Sequence, residues 1–198
     1  MKSSTLVGRR VACIGSTSSG KTTLAGQIAA LLEVPAVDLD SLLWETGWRE
    51  AHVDVFRDRV QHVLAGDGWT TSGNYIGAAQ DLIWPRVDAV VYLDMSIPLL
   101  LWRVLKRSWG RRGVVLWGTN TEQFWPHLKV WSHDSLLYFA LTTTRRRRRS
   151  FEEWCRDPRW AHVRFHRLRS PREVARFRAA VAASIVDVAD AADVAPHG

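Results

Sequence analysis

The 198-residue chain contains only two cysteines, Cys13 and Cys155. They lie far apart in the sequence and form no CxxC pair, which argues against CxxC redox chemistry and against a disulfide framework. No stretch approaches the roughly 18 consecutive apolar residues of a membrane-spanning helix. Residues 1–15 also lack the apolar core of a secretory signal. These absences predict a cytoplasmic protein without a membrane segment.

Acidic residues are scarce in one part of the chain. The formal net charge is +7, and residues 101–180 hold 19 Lys and Arg against 6 Asp and Glu. Such a basic half suits anionic ligands, either nucleotide phosphates or a nucleic-acid backbone, and charge alone does not choose between them. The hydrophobic content of 46% predicts a globular protein, and the length suits one domain over residues 1–198.

Strand-like and helix-like patterns alternate along the chain. The predicted strands are RVACI (10–14), VPAVDLD (34–40), the start of WTTSGNY (69–75), DAVVYLD (88–94) and HVRFHRL (162–168). Helical patterns begin at Lys21, near Val53, at Ser96 and at the capping box SPRE (170–173), whereas residues 114–157 show only weak helical periodicity. This alternation predicts an α/β fold with a parallel sheet covered on both faces.

A phosphate-binding pattern lies between the first strand and the first helix. The sequence GSTSSGKT, residues 15–22, fits G-x-x-x-x-G-K-[ST]. Its backbone N–H groups would form an anion-binding nest, and the helix N-terminus adds a favourable dipole. Lys21 would reach the β- and γ-phosphates, and the Thr22 hydroxyl would bind Mg²⁺. We therefore predict ATP and Mg²⁺ as ligands, with nucleotide contacts from Gly15, Ser16, Ser18, Ser19, Gly20, Lys21, Thr22 and Thr23.

Several chemically useful residues fall where predicted strands end, which is where parallel sheets bind ligands. Asp94 ends the most apolar strand and is predicted to hold Mg²⁺, directly or through water. Asp38 and Asp40 end the second strand, and residues two apart on a strand share a face. One of them would act as a base toward an acceptor hydroxyl. The alternative is that one of the pair caps the helix that follows.

Four segments carry a resemblance to a known family: residues 15–44, GW at 47–48, WTTSGNY and VVYLDMSIPLLLWRVLKR. Over about residues 10–107 the chain resembles the adenylate-kinase-like P-loop proteins called DNA topology modulation proteins. The resemblance implies a nucleoside-monophosphate-kinase-like core with a five-stranded parallel sheet. It also implies an acceptor-binding insertion at about 41–68 and a helical lid at about 108–157. The fairly specific elements are LD-x-L-x-W (Leu39, Asp40, Leu42, Trp44) and GNY (Gly73, Asn74, Tyr75).

The resemblance also implies roles for individual residues. Arg103 and Arg107 would lie at the base of the lid and contact adenine and phosphates, and Asp40 would face the acceptor. With Lys21, the predicted catalytic set is therefore Lys21, Asp40 and Arg107, and Arg103 joins the nucleotide contacts.

In one position the chain departs from the family pattern. The family usually reads Asp-Gly-Asn-Tyr where this chain has Ser72-Gly73-Asn74-Tyr75. Serine cannot supply the negative charge that this acid brings to a magnesium site. Either Asp94, Asp38 or Asp40 compensates, or catalysis is weakened.

The sequence contains five consecutive arginines, Arg145 to Arg149. On a helix five consecutive residues span the circumference, so about two are predicted to face the transferring phosphoryl group. The alternative is contact with nucleic-acid phosphates, which gives affinity without sequence readout. Upstream tryptophans are predicted to pack the lid helices rather than to stack on bases.

Three functions fit these patterns. The leading hypothesis is a small kinase that transfers the γ-phosphoryl group of ATP to a nucleotide or small-molecule acceptor. The second is a nucleotide-dependent, nucleic-acid-binding regulator with little catalytic activity, favoured by Ser72 and by the basic half. The third is an ATP-binding scaffold that has lost catalysis.

Overall fold

The structure is a computed structural model that describes residues 5–74, 76–110, 115–116, 120–121 and 136–193. Side chains are described within these ranges except at 76, 107–110, 115–116, 120–121, 136–143 and 189–193. The predictions for Tyr75, for the side chain of Arg107 and for the upstream tryptophans therefore lie outside the described residues.

Nine strands and seven helices are present in the described ranges. The strands are β1 Arg10–Gly15, β2 Ala36–Asp38, β3 Trp44–Glu45, β4 Arg49–Glu50, β5 Trp69–Ser72, β6 Ala89–Leu93, β7 Val115–Leu116, β8 Asn120–Thr121 and β9 Arg164–Leu168. The helices are α1 Lys21–Leu32, α2 Leu39–Leu43, α3 Val53–Val63, α4 Ile76–Ile83, α5 Ile97–Gly110, α6 Leu136–Arg156 and α7 Pro171–Asp193. A 3₁₀ turn, Pro158–Trp160, follows α6.

Five of these strands form one parallel sheet in the order β2-β5-β1-β6-β9. The chain leaves β1 in one direction for β2 and β5, and later in the other direction for β6 and β9. A crevice therefore opens beyond the carboxyl end of β1, where such sheets bind ligands. This arrangement confirms the predicted α/β fold with five parallel strands.

The two faces of the sheet bury different kinds of side chain. On one face α1, α5 and α7 pack aliphatic residues such as Leu24, Ile28, Leu100 and Val181 against β1 and β6. On the other face, where α3, α4 and α6 pack, the buried side chains include many aromatic rings, namely Phe56, Trp69, Trp84, Tyr92 and Phe151. Burying both faces explains why β1 and β6 read as continuous apolar runs.

One predicted strand is shorter than expected. The interpretation of residues 34–40 as a strand is wrong at its end, because β2 stops at Asp38 and Leu39 begins α2. The Asp38 carboxylate accepts a hydrogen bond from the Asp40 N–H at 3.2 Å and caps this short helix. Asp38 and Asp40 thus do not share a strand face, and the capping alternative is correct for Asp38.

Helices α5 and α7 begin where the sequence predicted. Helix α5 begins at Ile97 with Pro98 in its first turn, as predicted. Ser170 accepts a hydrogen bond from the Glu173 N–H at 3.2 Å, which confirms the capping box before α7. Helix α6, which includes all five consecutive arginines, runs for 21 residues through a region with only weak periodicity. Within the described ranges, no helix combines the length and the apolar character needed to cross a membrane.

Candidate active site

The phosphate-binding pattern forms a curled loop between β1 and α1. Gly15 has φ 149°, and a Cβ atom there would lie 2.7 Å from the Leu93 carbonyl oxygen, so the position excludes a side chain. Gly20 also has a positive φ, 100°, and precedes α1 without a side-chain cap. Ser18 adopts φ 56° without being glycine, a strained conformation of the kind found in ligand-binding loops. The backbone thus provides the curl that an anion nest requires.

Asn74 fixes the start of this loop. Its Oδ1 accepts a hydrogen bond from the Gly15 N–H at 2.9 Å, and its Nδ2 donates to the Gly15 carbonyl at 2.7 Å. Both polar groups of one glycine are therefore satisfied by one amide side chain. This gives a structural reason for the asparagine of the GNY element, a role that the sequence alone did not reveal.

Two side chains contact the loop at Ser16. Lys21 folds back so that its Nζ donates to the Ser16 carbonyl at 3.0 Å. The Ser16 hydroxyl lies 3.3 Å from the hydroxyl of Thr144, which is buried in α6. Helix α6 therefore packs directly on the phosphate loop.

A cleft of about 370 Å³ lies beside the loop. Arg103 lines it and donates from Nη1 to the Ser19 carbonyl at 2.9 Å. The cleft is large enough for a purine and its ribose, and its walls mix apolar with polar groups, as ligand sites do. Its lining residues include Ser18, Ser19, Gly20, Thr23, Gln27, Met95, Arg103 and Pro171.

A chain of hydrogen bonds links the loop to the second strand. The Thr22 hydroxyl lies 3.1 Å from the Ser72 hydroxyl, which donates to Asp38 Oδ1 at 3.2 Å. Ser72 is buried, Asp38 is half-buried and Thr22 is exposed to the crevice. Burial, followed by repulsion from Asp40, raises the pKa of the Asp38 carboxyl above its usual value. A carboxylate from β2 therefore lies within hydrogen-bond distance of the side chain at position 72, where the resembled pattern has an acid.

Asp94 lies in a different network. Its side chain is 4% exposed, Oδ1 accepts from Arg148 Nε at 2.7 Å, and Oδ2 accepts from Arg167 Nη2 at 2.8 Å and Nε at 3.0 Å. Arg167 also donates to Glu152, one turn beyond Arg148 in α6, at 3.1 Å. The network ties the end of β6 and strand β9 to α6.

The five consecutive arginines divide by environment. Arg145, Arg146 and Arg149 are exposed, whereas Arg147 and Arg148 are half-buried. Burial lowers the pKa of Arg147, and an electrostatic interaction with Tyr92 partly opposes this shift. The hydroxyl of Tyr92 is buried, and desolvation raises its pKa to about 12. Two of the five arginines are therefore partly buried, and contact of any of them with a phosphoryl group stays a prediction.

The structure thus brings most of the predicted site residues together. Lys21, Thr22 and Asp38 meet at the crevice, with Asp40 two residues beyond the cap and Arg103 in the adjoining cleft. Sequence reasoning missed the bonding roles of Ser72, Asn74 and Thr144. The first two could have been found from their position at the carboxyl end of the strand predicted in residues 69–75, but Thr144 carries no comparable signal.

Comparisons with known proteins agree with this architecture. A gluconokinase from Sinorhizobium meliloti 1021 has a TM-score of 0.50 and 16% identity, over 96% of this chain and 98% of that protein. A shikimate kinase from Acinetobacter baumannii, solved in complex with shikimate, has a TM-score of 0.51 and 18% identity, over 94% of this chain and 95% of that protein. The fold is that of the P-loop kinases. At these identities the likeness extends to the fold alone.

A more similar sequence comes from a curated protein. A shikimate kinase from Synechococcus sp. (strain JA-3-3Ab) is 32% identical over 123 residues, which cover 54% of this chain and 63% of that protein. The match therefore spans less than two thirds of the relative's length. No known protein-family profile matches the chain.

Proposed function

We propose that the protein is a P-loop kinase that transfers the γ-phosphoryl group of ATP to a small hydroxyl-bearing acceptor. The observation that carries this proposal is the convergence of Lys21, Thr22 and the Asp38 carboxylate at one crevice beyond β1. A fold shared with gluconokinase and shikimate kinase structures supports it. The acceptor would bind to a segment at about 41–68, under a lid at about 108–157, in a protein of the cytoplasm.

The nucleotide fits the loop and the neighbouring cleft. Adenine and ribose would enter the cleft beside Arg103, and the phosphates would lie on the loop at the N-terminus of α1. Lys21 would exchange its bond to the Ser16 carbonyl for the β- and γ-phosphate oxygens. Arg107, from the same helix as Arg103, stays a predicted phosphate contact.

The oxygen donors at the crevice fit Mg²⁺, which prefers hydroxyl, carboxylate and phosphate oxygens and keeps several waters. Thr22 would hold it through its hydroxyl, and Asp38 through a water. When bound, the cation neutralises charge on the phosphates. We favour Asp38 over the predicted Asp94, because both Asp94 oxygens already accept hydrogen bonds from Arg148 and Arg167.

Transfer would proceed in line. The acceptor oxygen forms a bond to the γ-phosphorus while the bond from that phosphorus to the bridging oxygen breaks, and ADP leaves. Asp40 would accept the proton of the acceptor hydroxyl. Arg147, which is partly desolvated by burial, would stabilise charge on the transferring group from the α6 side.

We do not advance the nucleic-acid-binding alternative, nor the likeness to DNA topology modulation proteins, as the function. The feature that favoured nucleic acid was the run of five arginines. Two of them, Arg147 and Arg148, turn toward the sheet instead of joining a basic surface.

An ADP-release screen against sugars, sugar acids, nucleosides and nucleoside monophosphates tests the proposal. We expect acceptor-dependent ADP release with at least one class. Lys21→Met should reduce the rate by about 10²–10³-fold, because a charge-stabilising donor is lost. Equal ADP release with and without every acceptor, or an undiminished rate in Lys21→Met, would contradict a kinase.

A further inference from the structure

We propose that Ser72 is a positioning residue that orients the Thr22 hydroxyl for Mg²⁺ and connects it to Asp38. This inference rests on the proposed function and deepens it. It explains how a chain with serine in place of an acid at position 72 still provides a magnesium site.

The position of Ser72 is set by the sheet. It ends β5, where its Cα pairs with Cys13 of β1 on one side and with Asp38 of β2 on the other. Its side chain is buried, with only 2% of the residue exposed. The hydroxyl thus lies between the loop residue Thr22 and the Asp38 carboxylate, at 3.1 and 3.2 Å.

The direction of the two hydrogen bonds follows from counting protons. A carboxylate is an acceptor only, so the Ser72 hydroxyl must donate its single proton to Asp38. Ser72 then has only lone pairs to offer Thr22, so Thr22 donates to Ser72. The lone pairs of the Thr22 oxygen are consequently directed away from Ser72, toward the exposed crevice, where a cation needs them.

Asp38 retains bonding capacity for the same site. The hydrogen bonds that its side chain accepts from Ser72 and from the Asp40 N–H both go to Oδ1. Within the described part of the chain, no hydrogen-bond donor reaches Oδ2. An acid at position 72 would set a second carboxylate against Asp38, and like charges at that distance disfavour ionisation. Serine allows the charge to come from β2 without this repulsion.

Calorimetric titration with ATP, in the presence of Mg²⁺ and separately with a chelator, tests the inference on the full chain. The measured quantity is the dissociation constant with the chelator divided by the dissociation constant with Mg²⁺. In Ser72→Ala we expect this ratio to fall about 10-fold, because groups that orient metal ligands contribute on that order to metal affinity. Affinity for metal-free ATP should stay unchanged.

The same strand offers a matched control. Thr70 is fully buried on the same face of β5, and its hydroxyl donates to the Ala25 carbonyl at 3.0 Å, away from the loop. Thr70→Val removes a buried hydroxyl of the same strand, and the magnesium ratio should stay as in the parent protein. Ser72→Cys, which nearly keeps the volume but donates weakly, provides a second variant if the alanine variant does not fold.

An unchanged ratio in either folded Ser72 variant, or an equal fall in Thr70→Val, would overturn the role of Ser72. Failure of the parent protein to bind ATP under both conditions would instead overturn the proposed function, and this inference with it. The two failures are therefore distinguishable in one set of titrations.

Discussion

The phosphate loop and the acid side of the crevice are built in different ways. The loop takes residues 15–22 from one stretch of chain and presents mainly backbone. The acid side takes single side chains from the ends of β2, β5 and β6, and α6 packs against it through Arg148. A loop formed by one stretch of chain can be recognised from a sequence pattern. A network of side chains from separate strands can be recognised only once the fold is known.

Among substitutions in the phosphate loop and on the acid side of the crevice, we expect the largest effect from a change at Gly15. In Gly15→Ala the new Cβ would lie 2.7 Å from the Leu93 carbonyl oxygen, a backbone atom that cannot move freely. We expect loss of measurable ATP binding by calorimetry, together with a lower melting temperature. Wild-type affinity in this variant would show that the loop tolerates a side chain where its geometry excludes one.

A matched control for this variant lies in the next helix. A Cβ atom added at Gly26, inside α1, would meet no atom of another described element within 4 Å. Gly26→Ala should therefore bind ATP normally and gain up to about 1 kcal/mol of stability from helix propensity.

The fold was largely predictable because its elements are local. β1, α1, β6 and α7 each carry a continuous apolar run or an amphipathic stripe that ends in a turn or cap signal. The strand predicted over residues 34–40 was longer than β2, which ends at Asp38. A carboxylate that caps a helix cannot be distinguished in the sequence from one that ends a strand. The extent of α6 was missed because its arginines interrupt the apolar pattern that marks a helix.

The second-largest effect is expected on the acid side of the crevice, at Asp94. Asp94→Ala removes the buried partner of Arg148 and Arg167, and we expect a loss of about 3 kcal/mol in the free energy of unfolding. Urea denaturation measures this loss. Asp81→Ala breaks an exposed pair with Arg57 and should cost much less.

The same variant separates two roles for Asp94. If Asp94 held Mg²⁺, its removal would lower the magnesium dependence of ATP binding and leave the unfolding free energy nearly unchanged. Such a result would support the prediction from the sequence that Asp94 holds Mg²⁺, and it would contradict our preference for Asp38.

The smallest effect is expected where the two regions meet. Asn74→Ala removes both hydrogen bonds to the Gly15 main chain, at about 1 kcal/mol each. Thermal or urea unfolding should show a loss near 2 kcal/mol, with weaker ATP binding because the loop start is no longer fixed. Asn74→Asp keeps the acceptor for the Gly15 N–H but sets a second acceptor against the Gly15 carbonyl, so it should also lose stability. Equal stability of all three proteins would mean that the loop holds its shape without Asn74.

The candidate site was predictable where the chemistry depends on spacing. Lys21 and Thr22 follow from one pattern, and the sequence named three carboxylates, Asp38, Asp40 and Asp94, that could compensate for Ser72. It could not single out Asp38, our proposed choice, because that choice depends on a serine hydroxyl that lies between β1 and β2 only in the folded sheet. The bond between Thr144 and Ser16 joins residues 128 positions apart, and no local pattern anticipates it.

The aromatic face of the sheet gives the protein an optical signature. The Trp84 ring lies 4.7 Å from Trp154 of α6 and 5.2 Å from Trp160, both edge-on at about 70°. Indoles at this separation couple their electronic transitions, so far-ultraviolet circular dichroism will contain an exciton band in addition to the backbone signal. Because Trp154 belongs to α6 and Trp160 to the turn that follows it, that band reports the packing of this helix and turn against Trp84 without any added label.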